Sequence, residues 1–130
     1  MIKEFSISTQ NKHQLLNITE KIKEIVKESK VKSGLILVFT LHTSAAILLN
    51  EDEQGLKEDW FKVFEKITSG IDFSHNQNDD NGDAHIISSL IGNQKTFIIE
   101  QGELVLGTWQ RIFLLELDGP RTRKVVIKII

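Results

Sequence analysis

The sequence predicts a single α+β domain that covers residues 1–130. A length of 130 residues fits one domain, and no linker, internal repeat or low-complexity segment divides the chain. The helical spacing of apolar residues lies mostly in the first part of the chain, whereas the last part is predicted to form strands. That distribution is typical of α+β proteins rather than of regular βαβ repeats. The absence of cysteine excludes a disulfide framework and thiolate chemistry.

The first elements predicted are a strand and a helix. Residues 3–9 alternate polar and apolar side chains, as in a half-buried strand. Apolar residues then recur at helical spacing, namely Leu15, Leu16, Ile18, Ile22, Ile25 and Val26. Because Asn17 and Glu20 resemble a capping box, the helix is expected to begin at Asn17 and to end near Ser33.

Two strands and a second helix follow. Residues 34–40 form a continuous apolar run, typical of a central strand buried on both faces, and residues 45–49 form a second short strand. The helix is expected to open at Asn50 and Glu51, because carboxylates favour the positive end of the helix dipole. Its apolar stripe consists of Leu56, Trp60, Phe64 and Ile67.

The rest of the chain predicts a polar loop, a short third helix and four strands. The loop covers residues 71–83 and the helix residues 84–91. The strands are expected at residues 96–100, 105–110, 112–117 and 124–130. The prediction is therefore about seven strands, two main helices and a short third.

Charge and hydropathy exclude two classes of partner. The net charge of −2 argues against nucleic-acid binding. No apolar run is long enough to cross a membrane. The first residues lack the pattern of a signal peptide, so the expected location is the cytoplasm.

His42 and Ser44 lie between two predicted strands and would share one face of an extended segment. This pattern has two interpretations: a histidine that binds metal or transfers protons beside a hydroxyl, or a polar strand end with a hydrogen-bonded histidine. A Ser–His nucleophile pair is disfavoured, because no nucleophile-elbow motif is present.

The polar loop holds His75, and His85 follows at the start of the predicted third helix, with Asp79, Asp80 and Asp83 between the two histidines. The spacing fits neither an EF-hand nor the zincin histidine pair. His75 and His85 could converge with His42 on a divalent ion, zinc or magnesium, since neutral imidazoles suit zinc. A surface loop with Asx turns is the alternative interpretation.

Two further segments could orient a ligand. Thr108 and Gln110 would share one face of the predicted strand 105–110. Asn50 and Glu51 open the predicted second helix, although the segment by itself favours a solvated acidic helix start.

Arg121 and Arg123 are two residues apart and would share a face. Two guanidinium groups on one side could clamp a phosphate or carboxylate. A salt bridge to Glu116 or Asp118 is the alternative.

Together these segments resemble the YjbQ-like family, sometimes labelled secondary thiamine-phosphate synthase. The matching motifs are His42-Thr43-Ser44-Ala45, Asn50-Glu51, Asp59, His75, Asp80-Asn81, Ala84-His85, Gly107-Thr108-Trp109-Gln110 and Glu116-x-Asp118-Gly119-Pro120-Arg121-x-Arg123. They cover nearly the whole chain. Phe73 and Asn76 depart from the pattern, because Tyr and Asp are common at these positions.

The resemblance implies an α+β sandwich of about seven strands in two sheets and a homotrimer. It also implies that His42, His75 and His85 gather at a metal or anion site. The implied activity joins hydroxymethylpyrimidine diphosphate to thiazole phosphate, with loss of pyrophosphate.

The resulting hypothesis is an enzyme that acts on a small phosphorylated metabolite. Its candidate catalytic residues are His42, His85 and Glu51. Its candidate substrate-binding residues are Ser44, Asn50, Thr108, Gln110, Arg121 and Arg123. The alternative hypothesis is a trimer that binds a phosphometabolite or a metal without catalysis.

Overall fold

The computed structural model describes residues 2–130 as two antiparallel sheets with three α-helices. The strands are β1 (Ile2–Ser8), β2 (Gln14–Asn17), β3 (Ser33–Thr40), β4 (Ala45–Asn50), β5 (Gln94–Glu100), β6 (Glu103–Leu104), β7 (Arg111–Glu116) and β8 (Thr122–Ile129). The helices are α1 (Thr19–Ser29), α2 (Gln54–Thr68) and α3 (Gly82–Ile91), with a short 3-10 helix at Ser74–Gln77. The predicted α+β class with two sheets is confirmed.

The five-stranded sheet has the order β1-β8-β3-β5-β6, and the three-stranded sheet has the order β2-β7-β4. The larger core lies between the two sheets and includes the apolar face of α1. A second core covers the other face of the small sheet, where Phe64 of α2 and Ile87 of α3 pack on Phe113 and Leu115. The small sheet is therefore buried on both faces.

The large sheet is covered on one face only. The prediction that the strand at residues 34–40 is buried on both faces is therefore wrong. Ile36 and Val38 of β3 face the core, but Leu35 remains 45% exposed. Its neighbour across the strands, Ile98, is 54% exposed. No helix among the described residues shields this apolar outer face.

Three predicted boundaries are wrong for local reasons. Helix α1 begins at Thr19, because Leu15 and Leu16 belong to β2, and it ends early at Lys30, whose backbone is left-handed with φ 60°. Helix α2 begins at Gln54, after Glu53 caps it by accepting a hydrogen bond from the Leu56 amide.

The strand predicted at residues 105–110 is also wrong, because this segment is largely a turn. The backbone N–H of Gln110 donates to the Gly107 carbonyl over 3.1 Å. The backbone N–H of Gly107 donates in turn to the Gln110 side-chain oxygen Oε1 over 2.8 Å. The short strand β6 precedes this turn. None of the helices in residues 2–130 combines the length and the apolar character that crossing a bilayer requires.

Candidate functional site

An open polar cleft of about 760 Å³ lies where the β3–β4 loop, the loop before α3 and the β7–β8 turn meet. We call it the histidine cleft. Six of the predicted site residues line it, namely His42, Ser44, His75, His85, Arg121 and Arg123. Three segments that are distant in sequence therefore come together at one place.

The other four predicted residues lie elsewhere in the chain. Strand β4 runs from Ala45, which pairs with Glu116, to Asn50, which pairs with Arg111, so its ends are about 17 Å apart. Asn50 and Glu51 are at the far end, and neither lines the histidine cleft. Thr108 and Gln110, in the turn before β7, do not line it either.

His75 and His85 each use one ring nitrogen to hold the protein together. His85 Nδ1 lies 2.9 Å from the Thr43 carbonyl, which can only accept, so Nδ1 donates. His75 Nε2 lies 2.7 Å from Asn81 Oδ1, while the Asn81 amide group donates to Asp118. The two rings are 4.6 Å apart in an edge-to-face arrangement. His75 Nδ1 and His85 Nε2 therefore carry free lone pairs.

His42 has the opposite arrangement. The backbone N–H of Lys124 donates to His42 Nε2 over 2.9 Å, so the neutral ring carries its proton on Nδ1. Burial lowers the pKa of His42, and the positive charge of Arg123 lowers it further. His42 is a neutral ring whose remaining nitrogen is a hydrogen-bond donor.

These roles do not fit the predicted three-histidine metal site. Within residues 2–130, no group of three or more His, Asp or Glu side chains is arranged to hold a metal ion. His42 has no free lone pair in its neutral form. His75 and His85 alone would leave zinc short of the three protein ligands that its catalytic sites use. Within the described residues, the three histidines are therefore not grouped as metal ligands.

Arg123 forms a buried ion pair with Glu116, as the alternative interpretation of the sequence proposed. Both side chains are almost fully buried. The Arg123 Nε donates to Glu116 Oε1 over 2.9 Å, and its terminal nitrogen contacts Glu116 and both oxygens of Ser44. Thr9 also donates to Glu116, over 2.7 Å. Arg123 thus fixes the loop that carries His42.

Burial alone would raise the pKa of Glu116, but hydrogen bonds from Arg123, Thr9 and the Asp118 backbone outweigh it, so the pKa is lowered. Arg121, by contrast, is exposed at the edge of the histidine cleft. Its terminal nitrogen lies 3.1 Å from the Asp118 carboxylate, leaving donors free for a ligand.

Sequence reasoning missed two asparagines that shape the histidine cleft. Asn93 donates to the His42 carbonyl over 2.9 Å, and nothing in the local sequence marks it. Asn81 is buried, and it orients His75 and binds Asp118. It belongs to a recognised motif, but its role as a bridge depends on residues far away in sequence.

The two departures from the family pattern lie behind the histidine cleft, and neither lines it. The Asn76 side-chain oxygen Oδ1 accepts from the Gly82 backbone N–H over 2.9 Å, and the Asn76 side-chain nitrogen donates to Asp80. Phe73 packs so closely on Gly82 that a Cβ there would lie 2.7 Å from the Phe73 Cβ. Glycine is therefore required at the start of α3.

The lowered pKa of His42 gives a prediction for stability. The unfolded chain binds a proton near pH 6.5, whereas burial of His42, together with the positive charges of Arg123, Arg121 and Lys124, outweighs the charge of Glu116 and makes the folded chain resist that proton. The free energy of unfolding should therefore fall as the pH drops below 6.5, until the lowered folded pKa is passed. Urea unfolding between about pH 8 and pH 5 measures this slope.

The control for this measurement is His42→Gln, whose side-chain oxygen can still accept the Lys124 N–H but does not titrate. The other three histidines remain in both proteins, so the difference in slope isolates His42. Equal slopes in both proteins would contradict the lowered pKa.

The fold and the histidine cleft define a small α+β sandwich protein with an open polar site that holds three histidines and an exposed arginine. A family model described as UPF0047 protein YjbQ-like matches residues 3–130. The chain belongs to this YjbQ-like family, UPF0047, which confirms the resemblance noted in the sequence.

Relatives and solved structures agree with this assignment. A UPF0047 protein from Archaeoglobus fulgidus is 41% identical over 126 residues, covering 96% of this chain and 98% of its own. A YbjQ-like protein of unknown function from Sulfolobus solfataricus superimposes with a TM-score of 0.96 at 39% identity, and the match covers 99% of this chain and 95% of that one. A YjbQ/UPF0047 family protein from Clostridium acetobutylicum superimposes with a TM-score of 0.92 at 42% identity, and the match covers 98% of this chain and 99% of that one. These names assign no activity.

Proposed function

We propose that the protein is an enzyme that binds a small phosphorylated metabolite in the histidine cleft and catalyses group transfer on it. One observation carries the proposal: the cleft combines hydrogen-bond donors with free imidazole lone pairs. His42 and Arg121 offer donors for anionic oxygens. His75 and His85 offer lone pairs for accepting protons.

The candidate reaction is the coupling of hydroxymethylpyrimidine diphosphate with thiazole phosphate, as the family resemblance implies. A new carbon–nitrogen bond forms between the two rings, and the bond from carbon to the diphosphate oxygen breaks. Negative charge grows on the leaving pyrophosphate, so preorganised donors are what this step needs most. Arg121 and the His42 N–H stabilise that charge. His85 takes up a proton from solvent on its free Nε2 and passes that proton to the leaving oxygen.

The test measures binding and turnover together. Each substrate, inorganic phosphate and pyrophosphate are added separately in a thermal-shift assay, and pyrophosphate release is followed with both substrates present. A ligand at 100 times its dissociation constant should stabilise the fold by about 2.7 kcal/mol. Binding without turnover would favour the non-catalytic phosphometabolite-binding protein, and no stabilisation by any anion would contradict both.

Two arginine variants provide a matched comparison for this assay. Arg121→Gln removes the exposed cation of the histidine cleft and should weaken anion binding. Arg111→Gln removes an arginine at the opposite end of β7, whose contacts are the carbonyls of Thr108 and Gln110. Equal effects of the two variants would show that the anion does not bind at Arg121.

A homotrimer is part of the proposal, and the exposed outer face of the large sheet supports it. Light scattering should give about three times the chain mass of 14.8 kDa. Ile98→Lys, which changes that face, should lower the measured mass. Val63→Lys on α2, a similarly exposed apolar position, serves as the control. A mass of one chain for the unmodified protein would refute the trimer.

A further inference from the structure

A second cleft lies between α2 and α3, and it shares no lining residue with the histidine cleft. The two clefts use different faces of α3. His85 lines the histidine cleft, as does Asn81 just before the helix, whereas Asp83, Ala84 and Ile87 line the second cleft. Its volume, about 370 Å³, is within the range of small-molecule sites. We call it the α2–α3 cleft.

The floor of the α2–α3 cleft is apolar and aromatic. Phe64 and Ile87 belong to the second core, yet both reach the cleft. Phe61 stacks on His13 with ring centroids 5.6 Å apart, and it meets Phe64 edge-to-face at 6.0 Å. Flat aromatic walls of this kind favour a planar ligand that can stack.

The rim of the α2–α3 cleft carries excess negative charge. Glu58, Glu65 and Asp83 line it, and within residues 2–130 none of the three has a cationic group within 4.0 Å. The one lysine in the lining, Lys62, lies 3.6 Å from Asp59 instead. The rim therefore has three carboxylates against one ammonium group, and this excess of negative charge complements a positively charged ligand.

From this combination we propose that the α2–α3 cleft binds a small planar organic cation, an aromatic ring that bears an amidinium or ammonium group. The ring stacks on the phenylalanine walls, and the cationic group meets the carboxylates of the rim. The site is separate from the histidine cleft, and the proposal stands independently of the proposed function.

The test compares three ligands with the same ring and different charge: benzamidinium, neutral benzamide and anionic benzoate. Amide chemical shifts of Ala84 and Ile87 are followed by NMR during titration of the full chain. Benzamidinium should shift both signals and bind about tenfold more tightly than benzamide. Absence of any shift, or equal binding of all three ligands, would overturn the proposal.

A charge variant links the binding to the rim. Asp83→Asn combined with Glu65→Gln should remove the preference for benzamidinium over benzamide, since both amides keep the shape of the side chains. Asp72→Asn, which changes an exposed carboxylate outside the cleft, should leave the preference unchanged. Preserved selectivity in the double variant would also overturn the proposal.

Discussion

Replacement of Glu116 by Gln should destabilise the protein by about 3–5 kcal/mol, the usual effect of removing one partner from a buried ion pair. Glu116 is 0% exposed and Arg123 is 2% exposed. The variant would leave the guanidinium charge in the protein interior without its counterion, and it would weaken the hydrogen bond from Thr9. Urea denaturation measures the loss as a change in the free energy of unfolding.

Two comparisons make this expectation specific. Glu4→Gln disrupts the exposed pair with Lys124, whose charged atoms are 3.5 Å apart, and should cost at most about 1 kcal/mol. The double variant Glu116→Gln, Arg123→Met should lose less stability than the sum of the single changes, because it removes the uncompensated charge. An effect of Glu116→Gln as small as that of Glu4→Gln would contradict the role of the pair.

The Glu116 pair also matters for the site, because it controls the position of the loop that carries His42. Arg123 holds the carbonyl of Ser44, and the next residue, Lys124, donates its backbone N–H to His42. A change in the buried pair should therefore shift the position of the His42 ring. Stability and site geometry are coupled here through two consecutive residues of β8.

Local patterns predicted those elements whose burial is regular. The alternation in residues 3–9 identified β1, and the stripe that includes Trp60 and Phe64 identified α2. Strand β2 was missed, because Leu15 and Leu16 fit the helical spacing of the residues that follow them. What makes this segment a strand is its pairing with β7, from the opposite end of the chain, and no local pattern contains that information.

The site shows the same division between local and distant information. Residue type indicated His42, His75 and His85, and the fold brings all three to the histidine cleft. Their chemical roles depend on partners that the sequence does not identify. The Lys124 N–H makes His42 a donor, whereas the Thr43 carbonyl leaves a lone pair on His85. Motif membership also grouped Glu51 and Gln110 with the site, although the chain places them at the other end of the small sheet.

Replacement of His85 by Ala should lower the rate of the pyrimidine–thiazole coupling by about 10²–10⁴-fold, the usual contribution of a proton-transfer group. His85 is the suitable proton carrier because its Nδ1 is anchored on Thr43 while its Nε2 remains free. The loss should appear in kcat, since Arg121 and His42 still bind the anionic oxygens. Steady-state measurement of pyrophosphate release separates kcat from KM.

Further variants distinguish proton transfer from a structural effect. His85→Asn can still donate an N–H to the Thr43 carbonyl but has no basic nitrogen, so it should be as slow as His85→Ala. Ser89→Ala, an exposed position on the same helix, should react like the unmodified protein. If His85→Asn kept full activity, the ring would serve only to anchor the loop. The proton would then reach the leaving oxygen through His75, whose free Nδ1 can take up a proton from solvent.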